Sequence, residues 1–137
     1  MYPRNRLVIL EQGATALRAG RGAEAEVLLT EGLTVLARET RLKIPGEEQL
    51  WRYKRGAARA QIGRSEAVDD LRAATGADAQ PWVAGRARIE LGRLALKRGD
   101  RGDAAVEARQ ADALCREGND PPCVADARAL LRSASGR

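Results

Sequence analysis

The sequence predicts an all-α fold, a stack of antiparallel helix pairs joined by short turns. Three observations predict it. Apolar residues return every three or four positions along nearly the whole chain, the spacing of one helix face. No segment alternates with the period of a strand, and the one cluster holding β-branched residues, Leu7-Val8-Ile9-Leu10, sits inside a helical pattern. Tight glycine breaks recur at Gly20, Gly63 and Gly99, each with another glycine seven residues earlier at Gly13, Gly56 and Gly92.

The elements follow in order. Pro3 reads as a helix start, and Leu7, Leu10, Ala14 and Leu17 form the apolar side of the first helix. Gly20-Arg21-Gly22 stops it. Ala25, Leu28, Leu29, Gly32, Leu33 and Leu36 line a second helix that ends near Thr40. The loop RLKIPGE holds the breaker pair Pro45-Gly46. A third helix carries Leu50, Tyr53, Ala57 and Ala60 on one face, with Trp51, Ala58 and Ile62 beside them. Arg52, Arg55 and Arg59 share its opposite face. A short fourth helix runs from Ser65 to about Thr75 with Ala67, Val68, Leu71 and Ala74. Pro81 suits the first turn of the fifth, which runs to about Arg98 and turns Ala84, Ala87, Leu91, Leu94 and Ala95 one way. The sixth spans Gly102 to about Glu117 and stops at Gly118-Asn119. Asp120 caps a seventh, about 121–133, on Val124, Ala127, Leu130 and Leu131. The tail SASGR should fray.

Composition narrows the function. A chain of 137 residues suffices for one compact domain, and 44% hydrophobic with 31% charged residues excludes a disordered chain. Aromatics are 3% and Phe is absent, so an alanine-rich core of closely packed helices is expected. Net charge is +5, and all but three of the 24 basic residues are arginine. That balance fits nucleic acid or an acidic protein partner. It equally fits the Arg- and Ala-rich usage of GC-rich, bacterial-like coding. Histidine is absent, which excludes histidine acid–base chemistry and histidine-ligated metals. No apolar run approaches the ~18 residues of a membrane span, and Leu7 to Leu10 is too short for a signal peptide core. A cytoplasmic location is expected for the chain as it stands, or a periplasmic one if it is a piece of an exported protein.

The glycine turns lie 43 and 36 residues apart, and small residues follow each at matching places. These are Ala25 and Gly32, then Ala67 and Ala74, then Ala104 and Ala111, each pair spaced by seven. Two helices in a tight hairpin close only where small residues occupy the crossing. The stretches LGRLALKRGDRGDAAVEARQADAL and GATALRAGRGAEAEVLLTEGL resemble the tetratricopeptide repeat family. The middle unit departs from the pattern: Ala67 follows Gly63 by four residues, where Ala25 and Ala104 follow their glycines by five. The resemblance covers about residues 5–117, with repeats about 5–40, 46–76 and 80–118, and it implies a right-handed superhelical stack. The helix at 121–133 looks like the family's terminal cap, in a single domain over 1–137. No cap precedes the first repeat, so a natural chain continuing upstream of MYPRNRLVIL is expected. The resemblance further implies a concave groove, lined by the first helix of each pair, that binds a peptide segment of a partner.

Candidate residues follow from this frame. Arg86, Arg93 and Lys97 share one sector of the fifth helix, with Glu90 beside them, and the resemblance turns that sector to the groove. There it would draw a protein or peptide partner, an acidic one above all; as a solvated face it would only pair locally with glutamate. The family's carboxylate clamp uses asparagines, and Asn5 and Asn119 alone do not supply it. Trp51, Tyr53 and Trp82 either stack at one rim of the groove or fill space between repeats. Cys115 and Cys123 are either two buried small apolar residues or a disulfide that staples the cap helix. Glu47-Glu48, Asp69-Asp70 and Asp100 with Asp103 read as turn or surface carboxylates. Nothing near them supplies a nucleophile or a ligand set, so neither enzyme chemistry nor a cofactor is expected. The functional expectation is a non-catalytic protein-interaction scaffold. The alternatives are a regulatory or sensor segment of a larger protein and a helical-repeat nucleic-acid binder, the last disfavoured by the lack of base-stacking aromatics in each repeat.

Overall fold

The computed structural model describes residues 5–40 and 43–136; Tyr2 and Pro3, the expected helix start, and Arg41-Leu42 of the loop lie outside them. Seven helices and no strand occur among the described residues: α1 (Arg6–Arg18), α2 (Gly22–Arg38), α3 (Glu47–Gln61), α4 (Ala67–Ala73), α5 (Pro81–Lys97), α6 (Arg101–Glu117) and α7 (Pro121–Ala134). Side-chain caps fix several starts. The Leu7 amide donates to Asn5 Oδ1 at 2.8 Å, and Asp100 and Asp120 accept from the amides of Asp103 and Cys123.

The turns repeat in atomic detail. Gly20 donates to the Leu17 carbonyl and Arg21 to the Ala16 carbonyl; Gly63 and Arg64, then Gly99 and Asp100, repeat both bonds. Asn119 and Asp120 make them a fourth time, onto Arg116 and Cys115. This closing motif needs one left-handed residue. The φ values are 77°, 74° and 84° at the three glycines and 54° at Asn119. The glycines are required there for conformation, since a Cβ at any of the three would meet nothing within 4 Å.

Gly13 and Gly56 serve a different need, space. A Cβ at Gly13 would lie 2.8 Å from Leu29 Cγ, and one at Gly56 2.8 Å from Leu71 Cγ. Leu29 and Leu71 stand four residues after Ala25 and Ala67. The third unit has Ala108 at that place, and Gly92 instead receives Leu130 from α7. Ala25, Ala67, Ala74, Ala104 and Ala111 are fully buried, so the small positions are indeed the close approaches.

In the middle unit the missing residue is taken up at the start of α4. Ala25 and Ala104 bond back four residues, to Arg21 and Asp100, whereas Ala67 bonds back three, to Arg64. The last turn tightens likewise, with Thr75 bonding to Arg72 and Gly76 to Ala73. Residues 65 and 66, and those after 73, therefore leave the α-helix. α4 is 7 residues against 17 for both α2 and α6.

Each helix touches its hairpin partner, and α1, α3, α5 and α7 form a row of neighbours. α2 also touches α3, and α4 touches α5, but among the described residues α2 and α4 do not meet. Apolar clusters sit between successive units: Leu10, Leu29, Leu36 and Trp51; then Leu71, Val83 and Leu91; then Ile89, Ala127 and Leu130. The first helix is rotated from its expected setting. Ile9, Leu10, Ala14 and Ala16 are buried, and Leu7 is 47% exposed.

Several polar readings are corrected. Asp70 is fully buried rather than a turn or surface carboxylate, and Arg52, Arg55 and Arg59 turn inward to it. Its two oxygens accept four bonds, at 2.8 to 3.2 Å. An ion that deep is tolerable only when every lone pair is engaged. Glu47 is also inside, bonded by Arg6, which is 6% exposed and reaches Glu39 as well. Cys115 and Cys123 are both buried and joined in a disulfide, with Cα atoms 5.4 Å apart, that ties α7 to α6. Of the two readings the sequence left open, the disulfide holds because the Asn119 turn brings the two helix faces together. A Cβ at Gly85 would lie 2.9 Å from Cys115 Sγ, so α5 covers the bridge.

A candidate partner-binding face on the first helices

The row of α1, α3 and α5 brings together residues that the sequence leaves far apart. At one end, Leu7, Ile44, Pro45, Leu50, Trp51, Trp82 and Val83 wall a pocket of about 270 Å³. Trp51 is 4% exposed and belongs to the core; Trp82 is half-buried and donates from Nε1 to Gln80 Oε1 at 2.9 Å. The two readings of the tryptophans therefore both apply, one to each residue. Polar groups at the mouth are the Gln80 amide and the Arg6–Glu47 pair. An apolar pocket with a few placed polar groups suits one large apolar side chain.

Further along, the face is cationic. Lys54 is half-buried on α3 and has no ion-pair partner among the described residues. Burial, and then the Arg18 charge, push its ammonium below the usual lysine value, against the pull of Glu11. Arg93 and Lys97 line a groove of about 300 Å³ between α3 and α5 with Ala57, Ala60, Gln61, Glu90 and Leu94. Arg93 lies 3.0 Å from Glu90 and 4.0 Å from Asp126, and Lys97 is exposed with no ion-pair partner among the described residues. Tyr53 is half-buried between these regions; burial and then Glu90 raise its phenol, with Arg86 opposing.

Arg86, expected in the basic sector, lies near Tyr53 and Lys54, but its charge is paired. Its Nε and Nη2 donate to Asp120 at 2.8 and 2.9 Å, fastening the cap of α7 to α5. The bond from Arg86 holds the Asp120 carboxyl below its ordinary value. A carboxyl depressed in the folded state contributes stability above its unfolded pKa, and loses it as pH falls through the folded value. Asp120→Asn is therefore expected to destabilise the protein at neutral pH. The gap to wild type should close below about pH 4, the ordinary aspartate range. Urea unfolding of both proteins across that range checks it; a gap independent of pH would refute the charge role of Asp120.

Arg18 and Lys54 were not singled out by sequence, yet the repeat register contains them. Arg18, Gln61 and Lys97 each stand five residues after the glycine of their first helix, and Glu11, Lys54 and Glu90 two before it. The same register marks an inner pair. Arg52 and Arg88 stand four before the glycine, and Asp70 and Glu107 three after the first small residue of the second helix. Arg88 Nη1 lies 2.8 Å from Glu107, which is 5% exposed. The first unit has Ile9 and Leu28 at these places. Among the described residues no helix is long and apolar enough to cross a membrane. No family model, no curated protein and no solved structure matches the chain.

Proposed function

We propose that the chain is a non-catalytic interaction module of the tetratricopeptide type. Its helix pairs form a right-handed superhelical stack, and its first helices hold an acidic, extended segment of a partner protein. The observation that carries this reading is the juxtaposition on one face of an apolar pocket and a row of cations. Arg18, Lys54, Arg93 and Lys97 stand against Glu11, Glu90 and Asp126, and among the described residues Arg18, Lys54 and Lys97 have no ion-pair partner. Such a surplus beside low-dielectric walls steers anionic groups inward. An aromatic or aliphatic side chain would enter at Trp82, and carboxylates further along would meet Lys54 and Lys97. The buried disulfide favours a non-reducing compartment for this activity over the cytoplasmic location expected from sequence.

A labelled synthetic peptide, one tryptophan followed by glutamates, tests the reading by fluorescence anisotropy. Arg93→Glu with Lys97→Glu is expected to weaken its binding roughly tenfold or more, as truncating charge at a complementary surface does. Wild-type binding should fall with salt over the range in which the Debye length shrinks to about 10 Å and below. Unchanged binding by the double variant, with helicity intact, would overturn the reading. Arg86 is left alone because it fastens α7.

A further inference from the structure

On the opposite side of α3 lies a second charged feature, independent of the peptide reading. α4 is too short to cover the first turns of α3, and α2 and α4 do not meet. A furrow of about 380 Å³ is left there, lined by Leu33, Thr34, Ala37, Arg38, Glu48, Arg52 and Arg55. We propose that this furrow binds a phosphate group between the guanidinium groups of Arg38 and Arg52.

The donors are available. Arg52 spends only Nε, on Asp70 at 3.2 Å, and its side chain is 31% exposed, so its two terminal nitrogens are open to a ligand. Arg38, in the last turn of α2, is exposed and has no ion-pair partner among the described residues. Arg55 is spent: its three nitrogens go to both oxygens of Asp70 and to Thr30. The Thr34 hydroxyl donates to the Thr30 carbonyl and can only accept.

The charge balance points the same way. Arg52, Arg55, Arg59 and Arg64 face Asp70, Glu26 and Glu66, four cations against three carboxylates. The surplus positive charge stands at the furrow, where Arg38 adds another. Glu48 opposes from the rim and would hold the affinity down. Two guanidinium forks on different helices suit an oxyanion with three or four acceptor oxygens better than a planar carboxylate, which one fork satisfies. The phosphate could be the free ion or a monoester on a partner.

The test is NMR titration of the arginine side-chain N–H signals with inorganic phosphate, with phenyl phosphate, and with perchlorate at matched ionic strength. Saturable shifts at Arg38 and Arg52 with phosphate and not with perchlorate are expected. Arg38→Gln should weaken binding roughly tenfold, the usual value of one charged hydrogen bond. Glu48→Gln should tighten it severalfold. Both residues are exposed and neither holds the fold together. Tighter binding of inorganic phosphate would assign the site to the free ion, and equal or tighter binding of phenyl phosphate to a monoester. One midpoint shared by wild type and both variants, or an equal response to perchlorate, would overturn the proposal.

Discussion

Replacing Asp70 by alanine is expected to destabilise the protein by about 3–5 kcal/mol, the typical cost of breaking a buried ion pair by removing one partner. That is a large share of the ~5–15 kcal/mol that holds a domain folded. The carboxylate is fully buried and is the common acceptor of Arg52, Arg55 and Arg59. Without it three guanidinium groups stand together with only Glu26, on Arg59, to offset them. Arg52, at 31% exposure, can swing to water; Arg55 and Arg59, at 16%, are held by the surrounding helices. Denaturant unfolding followed by circular dichroism measures the loss. A cost below about 1 kcal/mol, the range of exposed pairs, would show that the arginines find solvent without unfolding.

Gly92→Leu is the second large effect, about 1–3 kcal/mol from overpacking alone. The reason differs from that for Gly13 and Gly56. Any Cβ at Gly92 overlaps Leu130 of α7 and comes within 3.3 Å of Glu107 Cβ. The substitution should therefore push α7 away from α5 rather than open the α5–α6 turn. Shortening Leu130 to alanine should relieve part of it, so Gly92→Ala should cost less in a Leu130→Ala background than in wild type, a coupling expected of residues in contact. Additive losses in that cycle would show that Leu130 is not what Gly92 makes room for.

Much of this protein is legible along the chain because its rules are local. Helical spacing, a left-handed residue at the turn that closes each hairpin and small residues seven apart are short-range patterns, and apart from the rotated setting of α1 they occur where the sequence placed them. The missing residue after Gly63 reads along the chain as a shorter turn, and the structure takes it up at the start of α4. Arg86 and Asp70 were misjudged in whole or in part because what they do depends on partners 11 to 34 residues away in sequence. Arg52, Arg55 and Arg59 read only as sharing the opposite face of α3, because nothing local shows that α4 will set a carboxylate against them.

The sequence by itself determined the helices, their pairing and, α4 apart, their ends to within a few residues, since backbone conformation and the need for close approach at a hairpin act over a few residues. Tertiary structure alone decided which charges are spent and which are open. Arg86 is spent on Asp120 and Arg55 on Asp70, while Lys54, Lys97 and Arg38 have no ion-pair partner among the described residues. An ion's partner is fixed by through-space distance and burial, and neither is written in the spacing of residues along a helix.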